Sequence, residues 1–365
     1  MVRFRGFVSM ISIGVFGSAI VDNTIGIDAV IALPNINLIK ISNNTFLLTT
    51  EYSAGSGVIT RARIIDTSND KIVVGSYHDL FDVSIKSLCR ISDTVAMAAT
   101  YKNSSSSFSV YRINLTDFST DSVNIGSGIS VHSVTLIKLS DTLAALFYVD
   151  NTTTNIAKLT SIVISGSLSL GGITTVFNSV TGAMSIARVS DTFALIALRG
   201  VSSADYSTAK LIEFSGGIIL ASSTTNIAYN PYTGISFAKL IEDSETKASL
   251  VNNNYNSGTS EAFTEVKNLN ISTPLSLTST ITVGDSLTIE NVPQYAESFS
   301  TGIKLLYESP VVFASVDNNS AIPVLENTSN LESPWTITRF AEISSTSMLV
   351  AGLYNNTCFL NIVYF

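Results

Sequence analysis

Apolar and polar positions alternate along most of this chain in short runs, and Gly, Asn, Asp and Ser interrupt them every eight to twelve residues. β-Branched and aromatic residues dominate the runs, and long stripes at helical spacing are missing, so the pattern predicts strands throughout. Residues 133–177 show the unit. A strand over 133–139 meets the turn Ser140-Asp141-Thr142 and returns over 143–149; a polar loop at 150–155 leads to strands at 157–164 and 168–177. Four strands in this order form a meander.

The unit repeats. A basic–aliphatic–Ser–Asp–Thr motif occurs at Arg90-Ile91-Ser92-Asp93-Thr94, at Lys138-Leu139-Ser140-Asp141-Thr142 and at Arg188-Val189-Ser190-Asp191-Thr192. Weaker copies are read at Lys40-Ile41-Ser42, Lys239-Leu240-Ile241, Lys304-Leu305-Leu306 and Glu342-Ile343-Ser344, at intervals of 50, 48, 50, 51, 65 and 38 residues. Ser and Asp side chains bond backbone N–H groups two residues on, so the recurrent turn has a local structural cause and not a catalytic one.

Units of about fifty residues with four antiparallel strands are the size of propeller blades. The expected fold is therefore all-β: seven four-stranded blades over about 36–83, 84–130, 131–180, 181–230, 231–295, 296–333 and 334–365. The last unit has room for three strands, and residues 26–33 are expected to supply the fourth and latch the ring. Six blades plus a terminal sheet is the alternative. Nearly continuous apolar runs at 95–99, 143–147 and 193–198 are read as inner strands covered on both faces, rich in small residues where blades converge. Residues 1–25 are set apart as an apolar extension, and 26–365 as one propeller domain.

Composition narrows the chemistry. The 365 residues are 45% hydrophobic and only 13% charged, which excludes disorder. A net charge of −8 with no basic run gives nucleic acid nothing to hold. Two cysteines, Cys89 and Cys358, cannot build a disulfide framework and read as buried, inert thiols. Arg3 and Arg5 before the apolar residues 7–21 have the form of a secretory signal. The stretch is short for a bilayer span and is expected to be retained and packed.

Residues 134–177, running from an apolar strand through Leu-Ser-Asp-Thr and Ala-Lys-Leu-Thr to Gly-Gly-Ile-Thr-Thr-Val-Phe, resemble a degenerate propeller repeat of bacteriophage tail and structural proteins and of some bacterial surface proteins. The likeness is good over 84–230, fair over 36–83 and poor beyond 240. It implies a virion-associated or extracellular β-propeller used for attachment or assembly. The scaffold itself names no activity.

No Gly-x-Ser-x-Gly elbow, His-Glu-x-x-His helix, P-loop or dinucleotide fingerprint occurs, and His78 and His132 lie in different units without a nucleophile. No catalytic residue, metal site or cofactor is expected. Binding falls to the loops read between second and third strands, at 102–107, 150–155, 199–207, 252–260 and 317–320. Their Asn, Ser, Thr and Tyr content suits hydrogen bonding and stacking. The candidates are Asn103, Asn151, Arg199, Asp205, Tyr206, Asn254, Tyr255 and Asn318. The expected function is a non-enzymatic structural or attachment protein of a virion, partnered by other structural chains, by copies of itself, and by a host glycan or protein. A secreted or surface lectin-like binder is the second reading, and a glycan hydrolase the third.

Overall fold

The computed structural model describes residues 25–29, 36–54, 57–152, 155–178, 184–198, 206–215, 217–229, 238–244, 247–256, 261–271, 276–283, 293–299, 302–308, 311–317, 324–331, 336–345, 347–354 and 357–364. The leader, residues 1–24, lies outside them. Apart from two short 3-10 turns, the regular structure is strand, and the described strands form seven antiparallel sheets.

Strand β1 (Ile25–Ala29) stands apart from its neighbours in sequence. The first sheet holds β2 (Asn37–Lys40), β3 (Thr45–Ala54) and β4 (Gly57–Asp66), with two short pieces, β5 (Val73–Val74) and β6 (His78–Phe81), side by side on β4. The second holds β7 (Ser84–Ser92), β8 (Val95–Lys102), β9 (Ser107–Asn114) and β10 (Thr120–Gly126). The third holds β11 (Val131–Ser140), β12 (Leu143–Asp150), β13 (Ile156–Ser165) and β14 (Ser167–Phe177). The fourth holds β15 (Met184–Arg188), β16 (Phe193–Leu198), β17 (Tyr206–Ser215) and β18 (Ile218–Tyr229). The fifth holds β19 (Ala238–Ser244), β20 (Lys247–Asn256), β21 (Glu261–Asn270) and β22 (Ser276–Val283). The sixth holds β23 (Pro293–Phe299), β24 (Gly302–Glu308), β25 (Val311–Asp317) and β26 (Val324–Leu331). In the seventh, β27 (Thr336–Ser344), β28 (Ser347–Tyr354) and β29 (Thr357–Tyr364) are joined by β1, which pairs with β29 at Ile25↔Leu360 and Gly26↔Phe359.

The first strand of each sheet touches the first strand of the next, from β2 to β7 and so on to β27, and β27 touches β2. Apolar side chains fill the seams. Phe147, Leu159, Ile196 and Phe214 pack between the third and fourth sheets, and Phe46, Leu48, Leu349 and Leu360 pack between the first and seventh. Each such side chain contributes about 1.5–3 kcal/mol by leaving water.

The runs expected to lie innermost are second strands. Seven of the eight residues of β12 are buried, because a sheet covers each face and a strand covers each edge. First strands have one edge without a partner strand, and β7 and β11 keep several half-exposed positions. Small residues such as Ala144 and Ala145 therefore serve close sheet packing at the middle of the unit.

The recurrent motif holds the seams. In each of three turns Ser Oγ accepts the N–H of the Thr two residues on, at 3.3 Å for Thr94, Thr142 and Thr192. The Asp turns back to the basic residue three places before it, as in Lys138–Asp141 at 2.5 Å, Arg188–Asp191 at 2.8 Å and the Arg90–Asp93 pair. The basic side chain also reaches into the preceding sheet. Arg188 Nε donates to the Leu139 carbonyl at 2.8 Å, Lys138 Nζ donates to that of Ile91, and Lys40 Nζ donates to that of Ile343 in the seventh sheet at 3.4 Å.

A second contact recurs at the turns between third and fourth strands. Each has one left-handed residue, Phe118 (φ 58°), Gly166 (φ 51°) or Gly217 (φ 86°), and each touches the preceding sheet. Phe118 stacks on His78 with ring centres 4.1 Å apart, the Gly166 carbonyl accepts from Arg112 at 2.5 Å, and the Gly217 carbonyl accepts from Ser161 Oγ.

The sixth motif copy sits elsewhere than its sequence reading. Lys304 lies in β24, a second strand, and the first-to-second turn falls after Phe299, which pairs with Gly302. The equivalent of the basic position is Glu297, and in the fifth sheet it is Glu242 and not Lys239, so the last three intervals become 54, 55 and 45 residues. Counted by turn register, the basic residue of the first four sheets is replaced by Glu242, Glu297 and Glu342 in the last three.

Candidate functional site

The turns between second and third strands lie at the end of the sheets opposite the Ser-Asp-Thr turns. Of the eight residues expected there, Arg199, Asp205 and Asn318 lie outside the described residues. In sequence Asn318 follows β25, which is a third strand and not a second one. Asn254 and Tyr255 belong to β20, paired with Phe263 and Ala262, and Tyr206 opens β17 opposite Tyr229. The expected loop at 252–260 is thus strand up to Asn256. Asn103 begins the 3-10 turn Asn103–Ser105, and Asn151 is exposed.

The loop around Asn151 is clamped. Asp150 is 9% exposed. Its carboxylate accepts the Thr152 N–H at 3.1 Å, the Thr152 hydroxyl at 2.6 Å and Lys158 Nζ at 2.7 Å. Burial pushes the Asp150 carboxyl up, but Lys158 and Thr152 outweigh it and hold it below the usual carboxylate range. The Asn151 N–H donates to the Ser130 carbonyl at 2.9 Å, and the Ser130 N–H donates to Thr152 Oγ1 at 3.0 Å. Asp150 is thereby committed to the turn, leaving Asn151 and Thr152 outward.

On the outer side of the first sheet, from the middle of β4 toward the end bearing its second-to-third turn, stands a group that loop reading passes over. Arg61 on β4 lies against two rings, 3.8 Å from the centre of Tyr52 and 4.2 Å from that of Tyr77. Its Nε donates to Asp79 Oδ1 at 2.8 Å, and the Tyr52 hydroxyl donates to Asp79 Oδ2 at 3.3 Å. Burial opposes the guanidinium charge, yet Asp79 and Tyr52 raise its pKa overall. Arg63, two residues along the same strand, lies 5.1 Å from the Tyr77 ring centre and donates to the Gly75 carbonyl at 3.2 Å. Tyr77 is 49% exposed, and the Asp79 side chain 46%.

The local cause is the broken outer strand. β5 and β6 pair with opposite ends of β4, and residues 75–77 bridge them outside the ladder, which leaves Tyr77 over Arg61. The sequence signals are Arg61-x-Arg63 on one strand face and the run Tyr77-His78-Asp79. Close by, Lys102 Nζ meets Asp82 at 2.5 Å and holds that carboxyl low. The assembled features are a flat aromatic surface backed by a fixed guanidinium, a neighbouring carboxylate, and exposed amide and hydroxyl groups.

At the opposite end a polar groove of about 430 Å³ runs past Thr94, Arg112 and Asp121. Arg112 is engaged inside the fold, donating to Asp121 at 2.7 and 2.9 Å and to the Gly166 carbonyl. Among the described residues no group of three or more His, Cys, Asp or Glu is placed to hold a metal ion. Among them, too, no helix is long and apolar enough to cross a membrane.

No protein-family model and no curated protein sequence matches the chain. Solved structures do. The β-propeller domain of the Trilobed protease from Pyrococcus furiosus, which has an open velcro topology, aligns with a TM-score of 0.55 at 7% identity, over 91% of this chain and 96% of that one. The Nup133 β-propeller domain of Vanderwaltozyma polyspora aligns at 0.52 with 10% identity, over 91% and 100%. Hydrazine synthase of Kuenenia stuttgartiensis aligns at 0.60 with 9% identity, over 85% and 93%. At such identities the likeness is one of fold: an all-β protein of four-stranded antiparallel sheets, similar to β-propellers.

Proposed function

We propose that the seven sheets are the blades of one closed propeller, latched by β1, and that the protein is a non-enzymatic binding and attachment module. The end bearing the second-to-third turns is its recognition face. The group formed by Tyr52, Arg61, Tyr77 and Asp79 carries this reading, since it holds an exposed ring rigid beside an exposed carboxylate. Such a pair suits a sugar ring, whose apolar face stacks on the tyrosine while a hydroxyl donates to the carboxylate. Asn151 and Thr152 extend the polar surface toward the third sheet. The setting proposed here, a virion or other extracellular particle that meets a host glycan, rests on the repeat resemblance of residues 84–230.

The test is direct. The full chain is applied to a glycan array and to surface polysaccharides, beside Tyr77→Ala and Asp79→Asn. A polysaccharide is expected to bind, and either substitution to weaken it at least about tenfold, as for an interface anchor. Asn151→Ala is expected to weaken it less. Absence of any carbohydrate binding, or affinity indifferent to Tyr77, would remove the reading.

A further inference from the structure

The outer strands of the seven sheets differ in charge. β1, β6, β10 and β26 carry Asp28, Asp79, Asp121 and Glu326, whereas β14, β18 and β22 carry no charged residue at all. Outer strands end a sheet, and an uncharged, apolar edge is open to pairing with another chain unless something guards it. β18 is the longest of them at twelve residues. Its first residues are also the most exposed large aliphatics of that edge, Ile218 at 63% and Leu220 at 45%.

We propose that the edge of β18 receives residues 7–21 of a second copy as an added strand, joining copies head to tail. Three observations lead there. An outer edge of this fold already takes a strand from the amino-terminal region, since β1 lies on β29. The residues just before β1, 7–21, hold no charge and no proline and are rich in Val, Ile and Phe, as strand addition requires. Reach excludes the same molecule. Residues 22–24 extend at most about 11 Å, whereas the fourth sheet is three sheets from the seventh in one direction that the contacts run and four in the other, at about 10 Å per sheet. Both surfaces being uncharged, two chains of net charge −8 meet there without local repulsion. A segment-into-edge contact is heterologous, so it propagates or closes into a ring.

This inference rests on the ring and assembly reading above but not on the glycan, so its test is run without ligand. The full chain, its intact amino terminus verified by mass spectrometry, is compared by light scattering with an edge variant, Ile218→Lys with Leu220→Lys, and a segment variant, Ile11→Asp with Val15→Asp. The parent is expected above the 38.9 kDa of one chain, and each variant alone at that mass with an unchanged unfolding midpoint. Mixed, the two variants should form a complex of two chains, since one still offers the edge and the other the segment. A monomeric parent, an edge variant or a segment variant of parental mass, or a mixture that stays monomeric would overturn the proposal; a segment variant of parental mass would mean edge-to-edge pairing. Loss of glycan binding with this association intact would sink only the earlier reading.

Discussion

At the scale of single residues, two of the partners of Arg188 differ in consequence. Its bond to the buried Leu139 carbonyl crosses a seam, while its pair with Asp191 lies at the surface. Arg188→Ala should lower stability in urea by about 1–3 kcal/mol, the cost of an unsatisfied buried acceptor, and Asp191→Ala should stay near the parent. Equal losses would show that the ion pair, not the seam, matters. Gly171 and Gly172 make a second contrast. A Cβ at Gly171 would strike Ser161 Oγ and lie 2.5 Å from the Gly217 carbonyl oxygen, whereas one at Gly172 meets nothing within 4 Å. Gly171→Ala should cost about 1–3 kcal/mol by prying the fourth sheet off the third, and thermal unfolding should show Gly172→Ala to be nearly silent. Cys358 is fully buried, as expected, whereas Cys89 is half-buried, its apolar surroundings still pushing the thiol up to about 12. Both should resist a disulfide reagent at pH 8 until the protein unfolds; a rapid native reaction would contradict the packing.

At the scale of elements, the second strands bear the most weight. Phe147 on β12 is wholly buried in the seam between the third and fourth sheets, and Phe147→Ala should cost about 3–5 kcal/mol in denaturant unfolding. The strands were legible because apolar alternation and the Ser-Asp-Thr turn act locally, within a few residues. Second strands were mistaken for innermost ones because burial of both faces writes the same apolar run wherever it occurs. The sixth motif slipped because Glu297 replaces the basic residue and Lys304 mimics it one strand later. The Tyr52–Arg61–Tyr77–Asp79 group escaped because its members are brought together by strand register, 25 residues apart from Tyr52 to Tyr77, and no local pattern encodes that. Asn254 and Tyr255 were placed in a loop because polar residues on a strand resemble a loop in sequence.

At the scale of the whole molecule, acid should weaken the fold. Hydrogen bonds from Ser68 hold the Asp66 carboxyl low, Lys102 holds that of Asp82, and Lys158 with Thr152 holds that of Asp150 against its burial. A carboxyl lowered in the folded state stabilises above its unfolded value, about 3.9, and that contribution is lost as pH falls toward the folded value. The urea midpoint should be level above about pH 5 and decline below about pH 4. A midpoint rising on acidification would refute the assignment. Closure has its own readout: if β1 latches the ring, the amides of residues 25–29 should exchange with deuterium as slowly as those of β29 opposite them. The hooks of Arg188 and Lys138 each reach back to a sheet earlier in the chain, so during synthesis on the ribosome the third and fourth units find their acceptors already made. Lys40 has an acceptor still unwritten, the carbonyl of Ile343, and it waits through some three hundred residues of translation before the first and seventh sheets can meet.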